Sequence, residues 1–148
     1  MTSTDGSIFL DTNILVYAYD NHEPRKQAIA RGVLRSAYQN GSGVVSAQVL
    51  GEFCAAVTHK IRAPMSPAEV RAILDEFAAL RAVHVEPRIV HRALDLLERF
   101  QINYWDAQII AAAGGAGCRQ VLSEDLNPGQ TYDGVVVVNP FAAAELSV

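Results

Sequence analysis

The sequence predicts a three-layer α/β/α sandwich built on a five-stranded parallel sheet. Three observations predict it. Short apolar runs alternate with stretches of helical periodicity. The last run, Val135 to Val138, is apolar without a break, as a parallel strand covered on both faces should be. The first run, Ser7-Ile8-Phe9-Leu10, ends on Asp11-Thr12-Asn13 and passes straight into helical spacing at Ile14, Leu15 and Ala18. Asp11 is thereby the last residue of a first strand, at the end of an open α/β sheet where ligands bind. A chain of 148 residues, half of them apolar, predicts a single domain over 1–148.

The remaining elements follow in order. Tyr19 to Pro24 reads as a loop, with Pro24 at the first position of a helix that runs to about Gln39. Asn40-Gly41-Ser42-Gly43 breaks the chain, Val44-Val45 is the second strand, and Ser46 caps a long helix through Val49, Phe53, Val57 and Ile61. Ser66-Pro67-Ala68-Glu69 is a capping box with proline at the first helical position. Val83-His84-Val85 is expected as the third strand, followed by a helix from Pro87. Asn103-Tyr104-Trp105-Asp106 leads into a small-residue helix ending at Gly114-Gly115; Gln120-Val121-Leu122 is the fourth strand and Val135 to Val138 the fifth.

No stretch approaches the roughly 20 apolar residues of a membrane span. The amino terminus carries Asp5 and small polar residues where a signal peptide needs basic residues and an apolar core, so a cytoplasmic protein without a membrane partner is expected. Cys54 and Cys118 have no metal-type spacing and are expected as buried reduced thiols. His22, His59, His84 and His91 show no zinc spacing. The net charge of −4 argues at first against a nucleic-acid partner.

Four acids change that reading. Asp11 and Asp125 follow the first and fourth strands, and Glu52 lies early in the helix after the second, so these three share the carboxyl end of the sheet. Asp106 joins them on one further assumption, because its helix follows another helix. Each acid alone has a structural explanation as a helix cap or first-turn acid. Glu52, set between Val49, Leu50 and Phe53, and Asp106, before an apolar helix, are expected half-buried, and several carboxylates converging in a crevice repel one another unless a cation sits among them. A hard divalent ion, Mg²⁺ or Mn²⁺, suits oxygen donors of this kind. Setting the four aside leaves 12 acidic residues against 12 basic ones, so the rest of the body does not repel phosphate.

These residues carry a resemblance. Leu10-Asp11-Thr12-Asn13-Ile14-Leu15, Val49-Leu50-Gly51-Glu52-Phe53, Tyr104-Trp105-Asp106 through Ala113, and Leu122-Ser123-Glu124-Asp125-Leu126 stand in the order and at the intervals of PIN-domain ribonucleases. Among these, the chain resembles the VapC-like toxins of prokaryotic toxin-antitoxin pairs; Ser123 stands where that family often has threonine. The resemblance implies a metal-dependent endoribonuclease, usually a homodimer, with a cognate antitoxin and an RNA substrate. It makes Asp11 and Asp106 direct ligands of Mg²⁺ or Mn²⁺, with Glu52 and Asp125 completing the pocket. It also implies that Asn13 orients Asp11, and that Ser123 and Ser46 contact phosphate or support the ligands. Glu124 could exchange roles with Asp125. Tyr104 and Trp105 could stack an unpaired base, and Arg25, Lys26, Lys60 and Arg62 could track an RNA backbone, although aromatics beside an apolar helix are more often core or dimer contacts and a basic set is more often a solvated face.

Rivals from other classes fit less well. A haloacid-dehalogenase-like phosphatase would need an aspartate where Asn13 stands, and a receiver domain would need a phosphorylatable aspartate after the third strand, where Glu86-Pro87 stands. Two alternatives stay open: a housekeeping RNA-processing nuclease, and a non-catalytic domain that binds RNA or protein. A small upstream frame encoding a DNA-binding antitoxin would favour the toxin, and metal-independent RNA binding the pure binder.

Overall fold

The computed structural model describes residues 6–142. Asp5 and both ends of the expected 1–148 domain lie outside the described residues. Strand β1 (Ile8–Leu10) runs through the middle of the sheet, flanked in parallel by β2 (Gly43–Ser46) and β4 (Gln120–Leu122). Beyond β2 lies β3 (Arg81–Val83), and beyond β4 lies β6 (Val135–Val138), both parallel. A further strand, β5 (Thr131–Tyr132), pairs antiparallel with β6, giving the order β3-β2-β1-β4-β6-β5.

The sheet is therefore mixed and six-stranded, not a parallel sheet of five. The extra strand comes from Asp133-Gly134, whose φ angles of 50° and 83° form the two-residue turn that folds β5 back on β6. The third strand lies two residues earlier than the apolar triplet suggests. It is an edge strand with Arg81 and Ala82 exposed, so its apolar signal is weak.

Among the described residues the helices whose bounds are complete are α1 (Thr12–Tyr19), α2 (Pro24–Asn40), α3 (Ala47–Ala55), α4 (Pro67–Phe77), α5 (Pro87–Phe100) and α6 (Tyr104–Gly115), and helical backbone begins again at 140. The expected long helix after Ser46 stops at Ala55 and widens into a π-helical turn, Ala56–Lys60, closed by Ile61 N donating to the Ala56 carbonyl. Thr58 Oγ1 donates to the Cys54 carbonyl at 2.7 Å, a side-chain bond of the kind that bends helices. The capping box at Ser66 forms as read. Both cysteines are free; Cys118 is buried, whereas Cys54 is only partly so. Among the described residues no helix is long and apolar enough to cross a membrane.

Strand residues Phe9, Leu10, Val44, Val45, Val121 and Val137 are buried at the centre of the core. Helix α6 packs across β2, β4 and β6, and Ala107 to Ala113 are all buried. Its end also packs closely on α5, where a Cβ on Gly115 would stand 2.8 Å from Ile89 Cδ1. The chain leaves β1 for β2 and β3 on one side and returns to β4 on the other. The neighbouring ends of β1 and β4 therefore form a switch point, the place where an open α/β sheet opens a crevice.

Candidate active site

Asp11 sits at that switch point. Its backbone N–H donates to the Leu122 carbonyl at 3.0 Å, which ties the end of β1 to β4. Its side chain caps α1: Oδ1 accepts from Thr12 N at 2.7 Å. Oδ2 accepts from Ser123 Oγ at 2.7 Å. Each carboxylate oxygen can accept twice, so one acceptor site on each is left for a ligand. The residue is 8 % exposed. Burial pushes its pKa up to about 6; the bonds from Ser123 and Thr12 pull it down, and the charges of Asp125 and Glu52 push it up further.

Ser123 is fully buried and also accepts from the backbone N–H groups of Asp125 and Leu126, at 3.1 and 3.3 Å. One hydroxyl thus joins Asp11 to the loop that carries Asp125. Asn13 completes this wall, donating to Asp125 Oδ2 at 3.1 Å and accepting from Glu124 N at 3.2 Å. The expectation that Asn13 orients Asp11 is corrected accordingly. Its amide holds the β4 loop, while the Asp11 carboxylate takes its bonds from Thr12 N and Ser123 Oγ.

The other wall comes from α3 and α6. Glu52 is exposed, not half-buried, because α3 turns it away from Val49 and Phe53 toward the cleft; its Oε1 accepts from Thr12 Oγ1 at 2.9 Å. Asp106 is partly buried in the first turn of α6. Asn103 Oδ1 accepts from Asp106 N at 3.0 Å, and Asn103 Nδ2 donates to Asp106 Oδ2 at 2.7 Å. Burial raises the Asp106 pKa, against the Asn103 bond, and the charges of Asp125 and Glu52 raise it further. The capping explanation and the convergence of acids therefore both hold for Asp11 and for Asp106.

All four carboxylates line one open cleft of about 550 Å³. Glu124 also lines it, but its charge is engaged elsewhere. Tyr17 OH donates to Oε1 at 2.7 Å and Lys26 Nζ to Oε2. Burial alone would raise the Glu124 pKa, yet Lys26 and Tyr17 hold it below the usual carboxylate value. This leaves Asp125 as the acid that the β4 loop presents with Asp11. Ser46 is fully buried and caps α3 through Val49 N at 3.3 Å; it is not among the residues lining the cleft. Lys60 and Arg62 do line it, and both are exposed. Arg25 instead donates to the Phe141 carbonyl at 2.8 Å.

Sequence reasoning missed Thr12, which serves Asp11 through its N–H and Glu52 through its hydroxyl. The signal was its place between Asp11 and Asn13. The Lys26 to Glu124 pairing carried no local signal, because the two residues lie far apart in the chain.

Among the described residues no three acidic, histidine or cysteine side chains gather closely enough to hold a metal ion by themselves. The donors are nonetheless hard oxygens around an open space. That fits a cation that keeps waters, binds one or two carboxylates and takes its other ligands from substrate phosphate.

The family model for the PIN domain matches residues 8–133. The chain belongs to the PIN-domain family. Solved PIN-like structures share its fold at low identity. A toxin-antitoxin complex from Klebsiella pneumoniae is 16% identical with a TM-score of 0.64, over 90% of this chain and 98% of that one. VapBC2 from Rickettsia felis, solved bound to a promoter DNA fragment, is 19% identical with a TM-score of 0.65, over 89% and 97%. VapC20 from Mycobacterium tuberculosis, described as a sarcin-ricin-loop-cleaving toxin, is 19% identical with a TM-score of 0.57, over 93% and 95%. A search of curated proteins finds no match. In this PIN domain the motif residues Asp11, Glu52, Asp106 and Asp125 thus meet at one cleft.

Proposed function

We propose that this PIN domain is a Mg²⁺- or Mn²⁺-dependent endoribonuclease and the toxin of a VapBC-type pair. The observation that carries the reading is the meeting of four carboxylates at the β1/β4 switch point, with Asp11 buried and its proton affinity raised. The toxin-antitoxin complexes among its structural relatives, and the RNA-loop-cleaving toxin among them, support the finer assignment. An antitoxin protein and a second copy of the chain are the partners this reading implies.

Asp11 and Asp106 would hold the ion, with Glu52 and Asp125 completing the pocket. When bound, the ion supplies an activated water and stabilises charge during displacement at phosphorus. The chain's own residues do the positioning. Thr12 N and Ser123 Oγ fix both oxygens of Asp11. Asn13 fixes Asp125, and Asn103 fixes Asp106, so the acceptors are aimed before substrate arrives. Lys26 keeps Glu124 from adding its charge to the cleft.

Purified protein is expected to cleave RNA with Mg²⁺ or Mn²⁺ and to stop when the metal is chelated. Asp11→Asn should lower cleavage about a thousand-fold or more with an unchanged circular dichroism spectrum. Expression of the parent should arrest growth, and coexpression of its antitoxin should relieve that arrest. Equal cleavage by the parent, Asp11→Asn and Glu52→Gln would remove the assignment.

A further inference from the structure

Trp105 is 61 % exposed, more than Val90 or Leu94, the other exposed large apolar side chains among the described residues. It stands next to Asp106 in the first turn of α6 and lines the acidic cleft. A tryptophan left this open carries a large apolar face to solvent at the site itself.

The surrounding residues hold it in place. Gln48 Nε2 donates to the Trp105 carbonyl at 3.4 Å, and Gln48 Oε1 accepts from Gln108 Nε2 at 2.7 Å. Gln108 Oε1 accepts from Tyr104 OH at 2.7 Å, and the Tyr104 ring meets the indole edge to face at a centroid distance of 5.1 Å. Gln108 is 6 % exposed, so this ring of contacts passes through a buried, satisfied polar side chain. Tyr104 is the brace, partly buried with its hydroxyl engaged, and Trp105 is the part held outward.

The setting selects the occupant. A protein hot spot places an exposed aromatic in apolar surroundings that exclude water. The cleft that the indole lines is mixed: beside the apolar Ile61 and Ile109 it holds the acids and two exposed cations, Lys60 and Arg62. An exposed aromatic and cations in one cleft are the combination that binds single-stranded nucleic acid, phosphates on the cations and a base on the ring.

We propose that Trp105 is a stacking platform for one unpaired base next to the phosphate held at the acidic cleft, and that it directs the site to single-stranded RNA. The proposal rests on the RNA-cleaving reading above. In a duplex both faces of a base are already stacked, so seating it here requires unstacking first. Bases of any identity fit, since each has a π face.

Trp105 is the sole tryptophan of the chain, so intrinsic emission reports this residue alone. The Asp11→Asn protein is titrated with a uridine-rich single-stranded oligoribonucleotide and, separately, with a duplex of equal length. Saturable quenching by the single strand and none by the duplex is expected. Trp105→Ala should weaken binding of the labelled single strand, read by anisotropy, about tenfold. Trp105→Phe should recover most of that loss, and neither variant should change duplex binding.

Single-strand binding with unchanged emission would overturn the proposal, as would equal losses for single strand and duplex. An emission shift that follows protein concentration without RNA would also overturn it, by placing the indole against another copy. If the parent fails to cleave RNA while the quenching and affinity pattern holds, the nuclease reading falls and the stacking platform stands. If the parent cleaves and the pattern is absent, the platform alone falls.

Discussion

The two walls of the cleft hold their acids by different means. On the sheet wall, Asp11, Asn13, Ser123 and Asp125 are tied to one another across β1 and β4 through one buried hydroxyl and one amide. On the helix wall, Glu52 and Asp106 are held mainly by neighbours, the Thr12 hydroxyl for one and the cap of its own helix for the other. Burial sets Asp11 apart from the other three acids: Asp11 is enclosed, Asp106 is partly covered, and Asp125 and Glu52 are exposed. The sheet wall thus centres on Asp11, a buried acceptor fixed at both oxygens, whereas each acid of the helix wall is held through a single neighbouring residue.

The largest difference should appear in the stability of the metal-free protein against pH. Asp11 has a folded-state pKa of about 6 against 3.8 as its ordinary value. The folded state holds that proton more tightly than the unfolded chain. The resulting stability is full below about pH 4 and is lost as pH rises through about 6, a change on the order of 3 kcal/mol. Thermal unfolding of the parent minus Asp11→Asn, measured across this window, should show that fall, and added Mg²⁺ should restore the parent at neutral pH. A flat difference would break the contrast between the walls.

A smaller effect is expected from Ser123→Ala, which removes the donor to Asp11 and two backbone acceptor contacts at once. Cleavage should drop roughly 10- to 100-fold. Because the Ser123 bond lowers the Asp11 pKa, the acidic limb of the pH–rate profile should also move to higher pH. The helix-wall counterpart, Asn103→Ala, should lower stability by about 1 kcal/mol through the lost cap. It should reduce cleavage less than Ser123→Ala and leave the acidic limb attributed to Asp11 in place. Equal effects of the two variants would mean that the walls are equivalent.

Much of this was legible in the chain because short-range chemistry announces it. Ser66-Pro67-Ala68-Glu69 starts a helix wherever it stands, and Val135 to Val138 reads as a covered strand without any partner in view. Asp11, Glu52 and Asp125 were readable as a set because strand ends and helix starts fix their depth in the sheet, whereas Asp106 needed a further assumption because its helix follows another helix. The β5–β6 hairpin was missed: Asp133-Gly134 is a two-residue turn signal, but a strand of only Thr131–Tyr132 gives no periodicity to pair with it. What sequence could not supply was direction. Asn13 faces Asp125 and not Asp11, and Lys26 closes on Glu124, each set by packing between distant segments. Arg81–Val83 failed as a strand signal because one side of an edge strand has no neighbour to bury it.

The most direct test of a divalent-metal site on the sheet wall is calorimetric titration of Mn²⁺ into the parent and into Asp11→Asn, in two buffers of different ionisation enthalpy. In the parent, binding should release protons near pH 6 and release almost none near pH 8, because the ion displaces the proton that burial holds on Asp11. Asp11→Asn should bind far more weakly and without that proton release. Equal Mn²⁺ affinity in the two proteins, with no difference in proton release, would contradict the account.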